Sequence, residues 1–273
     1  MKPSIRILAI LLAALLQIFS ETAGATQKNA PKTAAPARLR NSCAPIYLNG
    51  TAPNLRNRNM AVKSRELCLD HAAIMYSGIS HTPLWAAEHL TREMVAQAEH
   101  PVLTDDIKNE RGPVAAGNPE YKFNDNSPYE IGYMAPPEDM PTVRAQRQCY
   151  TLANLIPVSR VSNAGIWKPV ESAVREYVKN DGELYVVTGA LFINGSSRFL
   201  KERFLVPSHL YKVVFDPLKN RGAAYLIRNE PGTVLQVVGI GQIEKMAGIE
   251  FFPGLPDASK QELLKLPKPK IRN

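Results

Sequence analysis

Short apolar runs separated by polar turn residues set the rhythm of the chain from residue 72 onward. Ala72 to Tyr76 reads as a short strand, Ser77 to Pro83 as turn residues, and Leu84 to Leu90 as the partner strand of a hairpin. β-Branched and aromatic residues crowd Glu183 to Phe192, Leu205 to Phe215 and Ala223 to Ile227, the composition of buried strands. Pro207 confines the start of the second of these to an edge or to the beginning of the strand. Short Asn/Gly turns between them predict antiparallel pairing. Helical patterns are fewer: about Asp139 to Arg147, Gly165 to Lys179 and Ile240 to Gly248. The expected class is α+β, a mixed and largely antiparallel central sheet flanked by helices.

Outside these runs the pattern weakens. Lys2 and Arg6 precede an apolar stretch from Ile7 to Phe19, and Ala23-Gly24-Ala25 fits the small-residue cleavage rule, so residues 1–25 read as a signal peptide of an exported protein, secreted or periplasmic. The stretch is short for a spanning anchor, the other reading. Residues 26–40 have linker composition. Residues 41–258 form the expected domain, and the Lys- and Pro-rich residues 259–273 are expected to fray. Residues 100–128 read as a long loop. Its Asp105 and Asp106 lie outside any calcium-loop pattern.

Charge narrows the choice of partners. The chain carries a formal charge of +8 and a pI near 9.4, which favours anionic partners such as nucleic acid or anionic lipid. Cys43 and Cys68 flank a polar loop that a disulfide can close in an oxidising compartment. Cys149 is then left over beside the richest stretch of site chemistry, and reads as a buried, inert thiol, with a reactive thiol the alternative. No cysteine pair has zinc-ligand spacing.

That stretch runs from Tyr129 to Arg175. Asn163, Trp167, Glu171 and Arg175 recur every four residues, one slowly drifting stripe of a helix. Glu171 and Arg175 have the favoured spacing and order for an ion pair. Pro169 removes one helical donor, so the helix kinks there or begins near Lys168. Taken alone, the pattern also fits an ordinary amphipathic helix. His89 reads as a packed or surface histidine, and His209 as a residue that only the fold could bring to this stretch.

The stretch resembles the DNA/RNA non-specific endonuclease family of ββα-metal nucleases. That family carries Asp-Arg-Gly-His, a hydrophobic residue, Ala and Pro; here Glu130-Ile131-Gly132-Tyr133-Met134-Ala135-Pro136 stands in that place. Its Ser-Asn-x-x-Pro element is similar to Ala153-Asn154-Leu155-Ile156-Pro157. Its Asn-x-Gly-x-Trp, followed by Glu-x-x-x-Arg, is similar to Asn163 to Trp167 with Glu171 and Arg175. Flanking segments agree, including the Cys43–Cys68 loop and Gly248 to Pro253.

The resemblance implies a Mg²⁺-dependent endonuclease, with Mn²⁺ as a substitute, acting on the phosphate backbone of DNA or RNA with little base preference. It implies that Asn163 ligates the cation directly, Glu171 holds a coordinated water, Arg175 neutralises phosphate charge and Asn154 supports the site. Three of the four signature residues differ. Glu130 keeps a carboxylate, Ile131 removes a cation, and Tyr133 replaces the histidine base with a phenol whose ordinary pKa is near 10. Two outcomes follow: a nuclease that is slow or uses Tyr133 or another base, and an impaired homologue that still binds nucleic acid or a protein partner.

Overall fold

The computed structural model describes residues 42–98, 126–193, 198–200 and 204–271. The expected signal peptide, the linker and nearly all of the 100–128 loop lie outside the described residues. In chain order the strands are β1 (Asn54–Leu55), β2 (Ser64–Cys68), β3 (Ala72–Ser77), β4 (Thr82–Thr91), β5 (Tyr129–Tyr133) and β6 (Leu155–Ser159). They continue with β7 (Glu183–Leu191), β8 (Arg198–Leu200), β9 (Phe204–Val206), β10 (His209–Asp216), β11 (Arg221–Arg228), β12 (Gln236–Val238) and β13 (Ile249–Glu250). The helices used below are α1 (Arg58–Ala61), α2 (Arg92–Ala98), α3 (Val143–Cys149), α4 (Lys168–Asp181), α5 (Ile240–Ala247) and α6 (Asp257–Gln261).

Seven strands form one sheet in the order β12-β11-β10-β7-β4-β3-β2, every neighbouring pair antiparallel. This is the α+β architecture expected, and the β3–β4 hairpin forms as expected. Alternation along β10 shows how the sheet is covered on both faces. Tyr211, Val213 and Phe215 pack with Trp85, with Phe251 and Phe252, and with Ile240 and Ile243 of α5. Leu210 points the other way, toward Met134, Ile156 and Trp167, and Val214 packs beneath Val170, Val174 and Val178 of α4. The candidate site is built on this second face. Cys43 and Cys68 are joined by a disulfide, which ties the turn beginning at Ala44 to β2.

Three expectations need correction. The run Leu205 to Phe215 is two strands, because the chain turns at Pro207 and Ser208, where Ser208 N donates to Leu191 O at 2.8 Å. The helix expected from Asp139 begins at Val143, where Thr142 caps it by accepting from Ala145 N. The C-terminal segment packs instead of fraying. Lys260 Nζ lies 3.1 Å from Glu244, Leu264 is buried, and Tyr225 donates its hydroxyl to Pro267 O at 2.6 Å. A lysine with buried carboxylate partners and a leucine with a core slot outweigh the polar composition that argued for a loose tail.

Candidate active site

β5 and β6 pair antiparallel, with Glu130 opposite Val158 and Tyr133 opposite Leu155. All of β6 is buried, so this two-stranded unit is fixed on the sheet. Gly132 is required there, since a Cβ would collide with the Val158 side chain. After β6, Ser159 Oγ accepts from Ser162 N and starts one helical turn, Arg160–Ser162. A π-helical turn follows at Asn163–Trp167 and runs into α4. Pro169 lacks the N–H that would reach back to Gly165, which fits a widened turn just before it. The α-helical segment therefore resumes at Lys168 after the widened turn, within a helix that already runs from Arg160.

The π turn places Asn163 against β5. Its Nδ2 donates to Glu130 Oε1 at 2.7 Å, and Asn163 is only 5% exposed. No protein donor reaches its Oδ1 among the described residues. Glu130 is half-buried, with Oε2 3.7 Å from Arg160 Nη1. Two turns along, Glu171 is buried, and burial pushes its pKa up to about 7, with Asp139 adding and Lys212 and Arg175 opposing.

The expected ion pair between Glu171 and Arg175 is not the one formed. Arg175 Nη1 bonds Asp139 Oδ1 at 2.7 Å. Asp139 is buried on the short 3₁₀ turn Pro137–Asp139, so it offers a desolvated, immobile carboxylate that outcompetes a neighbour on the same helix. Burial lowers the Arg175 pKa, but Asp139 outweighs it and the guanidinium is held above its ordinary value.

Tyr133 stands in an apolar setting. Its ring meets Tyr150 edge-on at 5.6 Å, in a cluster with Ile131, Val143, Leu152, Leu155 and Phe204. Burial pushes its pKa above the usual tyrosine value, and Tyr150, Glu138 and Cys149 push the same way. Asn154 is fully buried. It donates to Ala135 O at 2.8 Å and to Cys149 O at 2.9 Å, and accepts from Ala135 N at 2.9 Å. It laces the end of the β5 segment to the end of α3.

The chain matches the DNA/RNA non-specific endonuclease family over residues 51–258. It belongs to that family. Among relatives, mitochondrial nuclease EXOG of Xenopus laevis is 30% identical over 209 residues, covering 67% of this chain and 57% of that protein. Human mitochondrial nuclease EXOG is 26% identical, covering 70% of this chain and 58% of its own length. The nuclease of Serratia marcescens is 26% identical, covering 67% of this chain and 73% of that protein. The chain thus spans less than two thirds of the EXOG proteins. A solved structure of the EndoG/EndoGI complex aligns with a TM-score of 0.54 at 21% identity, over 77% of this chain and 96% of that one, which supports the fold.

Within this endonuclease fold, the structure brings Glu130, Asn163 and Arg160 into one contact chain and Arg175 onto Asp139, and it turns Tyr133 into an apolar cluster. Of the histidines, His89 lies 3.0 Å from Glu183 and stacks on Tyr185. His209 contacts Ser208, with Arg228 opposite.

Four residues escaped the sequence reading: Arg160, Asp139, Glu88 and Lys212. Glu88 and Lys212 sit on the site face of the sheet. Glu88 is fully buried, and both its carboxylate oxygens lack a hydrogen-bond partner among the described residues. Burial drives its pKa well above the ordinary value, with Asp139 adding and Lys212 opposing. Lys212 Nζ donates to Thr188 Oγ1 at 2.7 Å and lies 5.9 Å from the Trp167 ring centroid. The available signal was a charged residue inside an otherwise apolar strand.

The donor set suits a hard divalent cation. The Asn163 amide oxygen, which no donor engages among the described residues, and the carboxylate of Glu130 in contact with that amide are oxygen donors of the kind such a cation takes. Among the described residues, the one trio of His, Cys, Asp or Glu ligand atoms within 4.8 Å is Cys43, Glu66 and Cys68, and its two sulfurs are bonded to each other.

Proposed function

We propose that this chain is a Mg²⁺-dependent endonuclease, with Mn²⁺ as a substitute, that hydrolyses phosphodiester bonds of DNA or RNA with little base specificity. The observation that carries this is the Asn163 amide, anchored through Nδ2 on Glu130 with Oδ1 left to face a cation. The cation would neutralise charge developing on the phosphate and the leaving oxygen. Arg175, held by Asp139, adds a fixed positive charge beside it. Glu171 is buried and poised near neutrality, which suits a group that orients water and takes part of its proton. Asn154 keeps the β5 segment in place. The Cys43–Cys68 disulfide fits work in an oxidising compartment, as an exported protein would do.

Tyr133 acts as a neutral O–H donor and not as a base, because its surroundings move its pKa away from neutrality. Slow hydrolysis is the consequence. The same observation favours a second reading, an impaired homologue that retains binding to nucleic acid. Plasmid and RNA cleavage with Mg²⁺, Mn²⁺ or EDTA separates them. Activity lost in EDTA and in Asn163→Ala supports the nuclease. A silent wild type with an active Tyr133→His variant supports the second reading.

A further inference from the structure

We propose that Arg160 is a positioning residue for the cation site: it holds Glu130, and Glu130 holds the Asn163 amide with its oxygen outward. The inference rests on the metal-dependent reading above and assigns a role to a residue outside the family signature. A carboxamide can present either its oxygen or its nitrogen to a cation, and only the oxygen binds. Which end faces out depends on what engages the other end. Here Nδ2 is engaged by Glu130 Oε1 at 2.7 Å. Glu130 carries one methylene more than the family's aspartate, so its carboxylate needs a second anchor to stay in one rotamer.

Arg160 supplies that anchor. Its backbone N donates to Pro128 O at 3.0 Å and its Nε to Ser127 O at 2.8 Å, while Nη1 stands 3.7 Å from Glu130 Oε2. One side chain thus spans from the start of the site helix to the residues just before β5. The guanidinium plane makes this possible, since Nε and Nη1 diverge at a fixed angle that an ammonium does not reproduce. The Arg160 and Glu130 side chains are 40% and 30% exposed, so the pair adds little to stability and its value lies in direction.

Mn²⁺ binding to the full chain, read by calorimetry, is the test. Arg160→Gln is expected to weaken Mn²⁺ affinity about tenfold, the effect typical of groups that orient a metal ligand, with little change in Tm. In a Glu130→Gln background the same substitution is expected to add less than about twofold, because both act along one path. Wild-type Mn²⁺ affinity in Arg160→Gln, or losses that multiply in the double variant, overturns the proposal. Unchanged Mn²⁺ affinity with weaker DNA binding in EDTA also overturns it and makes Arg160 a phosphate contact. Should Arg160→Gln melt early, Arg160→Lys decides: several-fold weaker Mn²⁺ binding supports the relay, and wild-type affinity sinks it. A wild type that binds no Mn²⁺, judged beside Asn163→Ala, sinks the metal-dependent reading and this inference together, whereas the outcomes above sink the relay alone.

Discussion

The two halves of the site have opposite chemistry. The helical half, from Asn163 through Arg175, is a set of polar groups each aimed by a partner: Asn163 by Glu130, and Arg175 by Asp139. The strand half, from Ile131 to Tyr133, is apolar on the side that faces Tyr150 and Phe204. In the family pattern both halves carry charge, an arginine and a histidine on the strand included. Here the polar contacts gather on the helical half, among Asn163, Glu130, Arg175 and Asp139, while the strand half carries a phenol held away from ionisation. Under the proposed function, such a site would keep its grip on phosphate after losing its base.

The sharpest way to break this comparison is Asn163→Ala. Metal-dependent cleavage is expected to fall by about 100-fold or more, while a strand-half change such as Tyr133→Phe leaves it within about threefold. A large loss in Tyr133→Phe, measured on the same plasmid substrate, would return the phenol to the chemistry. Next in size is Asp139→Ala. It strands a mostly buried guanidinium, so urea unfolding is expected to show a loss of about 3 kcal/mol. Stability like that of wild type would mean that Arg175 finds another partner.

Acidity gives a comparable effect from the floor of the site. Glu171 has a folded-state pKa near 7 against an ordinary 4.5, so the folded form binds the extra proton between those values. Stability in EDTA is then full below pH 4.5 and falls as pH rises toward and past 7, by up to about 3 kcal/mol from this group. Glu88 is shifted in the same direction and adds to the slope. Urea unfolding at pH 5 and pH 8 should show the drop in wild type and a smaller one in Glu171→Gln; equal slopes in the two proteins refute the assignment. The smallest expected effect is Tyr133→Phe on folding, under about 1 kcal/mol, since no group among the described residues hydrogen-bonds its hydroxyl.

The sheet was legible because continuous β-branched and aromatic runs such as Glu183 to Phe192 state both strand and burial at once. The spacing of Asn163 to Arg175 gave only a helical stripe, and the roles came from the family resemblance; the structure puts two of those residues in polar contact with others. What could not be read was which partner each would choose. Arg175 pairs with Asp139, 36 residues away, because burial strengthens that carboxylate and no local spacing encodes it. Glu88 and Lys212 were hidden by their neighbours, since each sits in a strand whose other residues speak for a dry core. The packing of residues 259–267 was hidden by composition: one buried lysine and one leucine outweigh several exposed charges.

Cys149 gives the protein a clock of its own. Its side chain is fully buried at the end of α3, its backbone carbonyl is tied to Asn154, and burial makes the thiol harder to ionise. An alkylating reagent can reach it only when the packing around it opens. The slow step in labelling is then the opening itself, so one unpaired sulfur, with the other two locked together, times how often this part of the core opens without any tag or engineered probe.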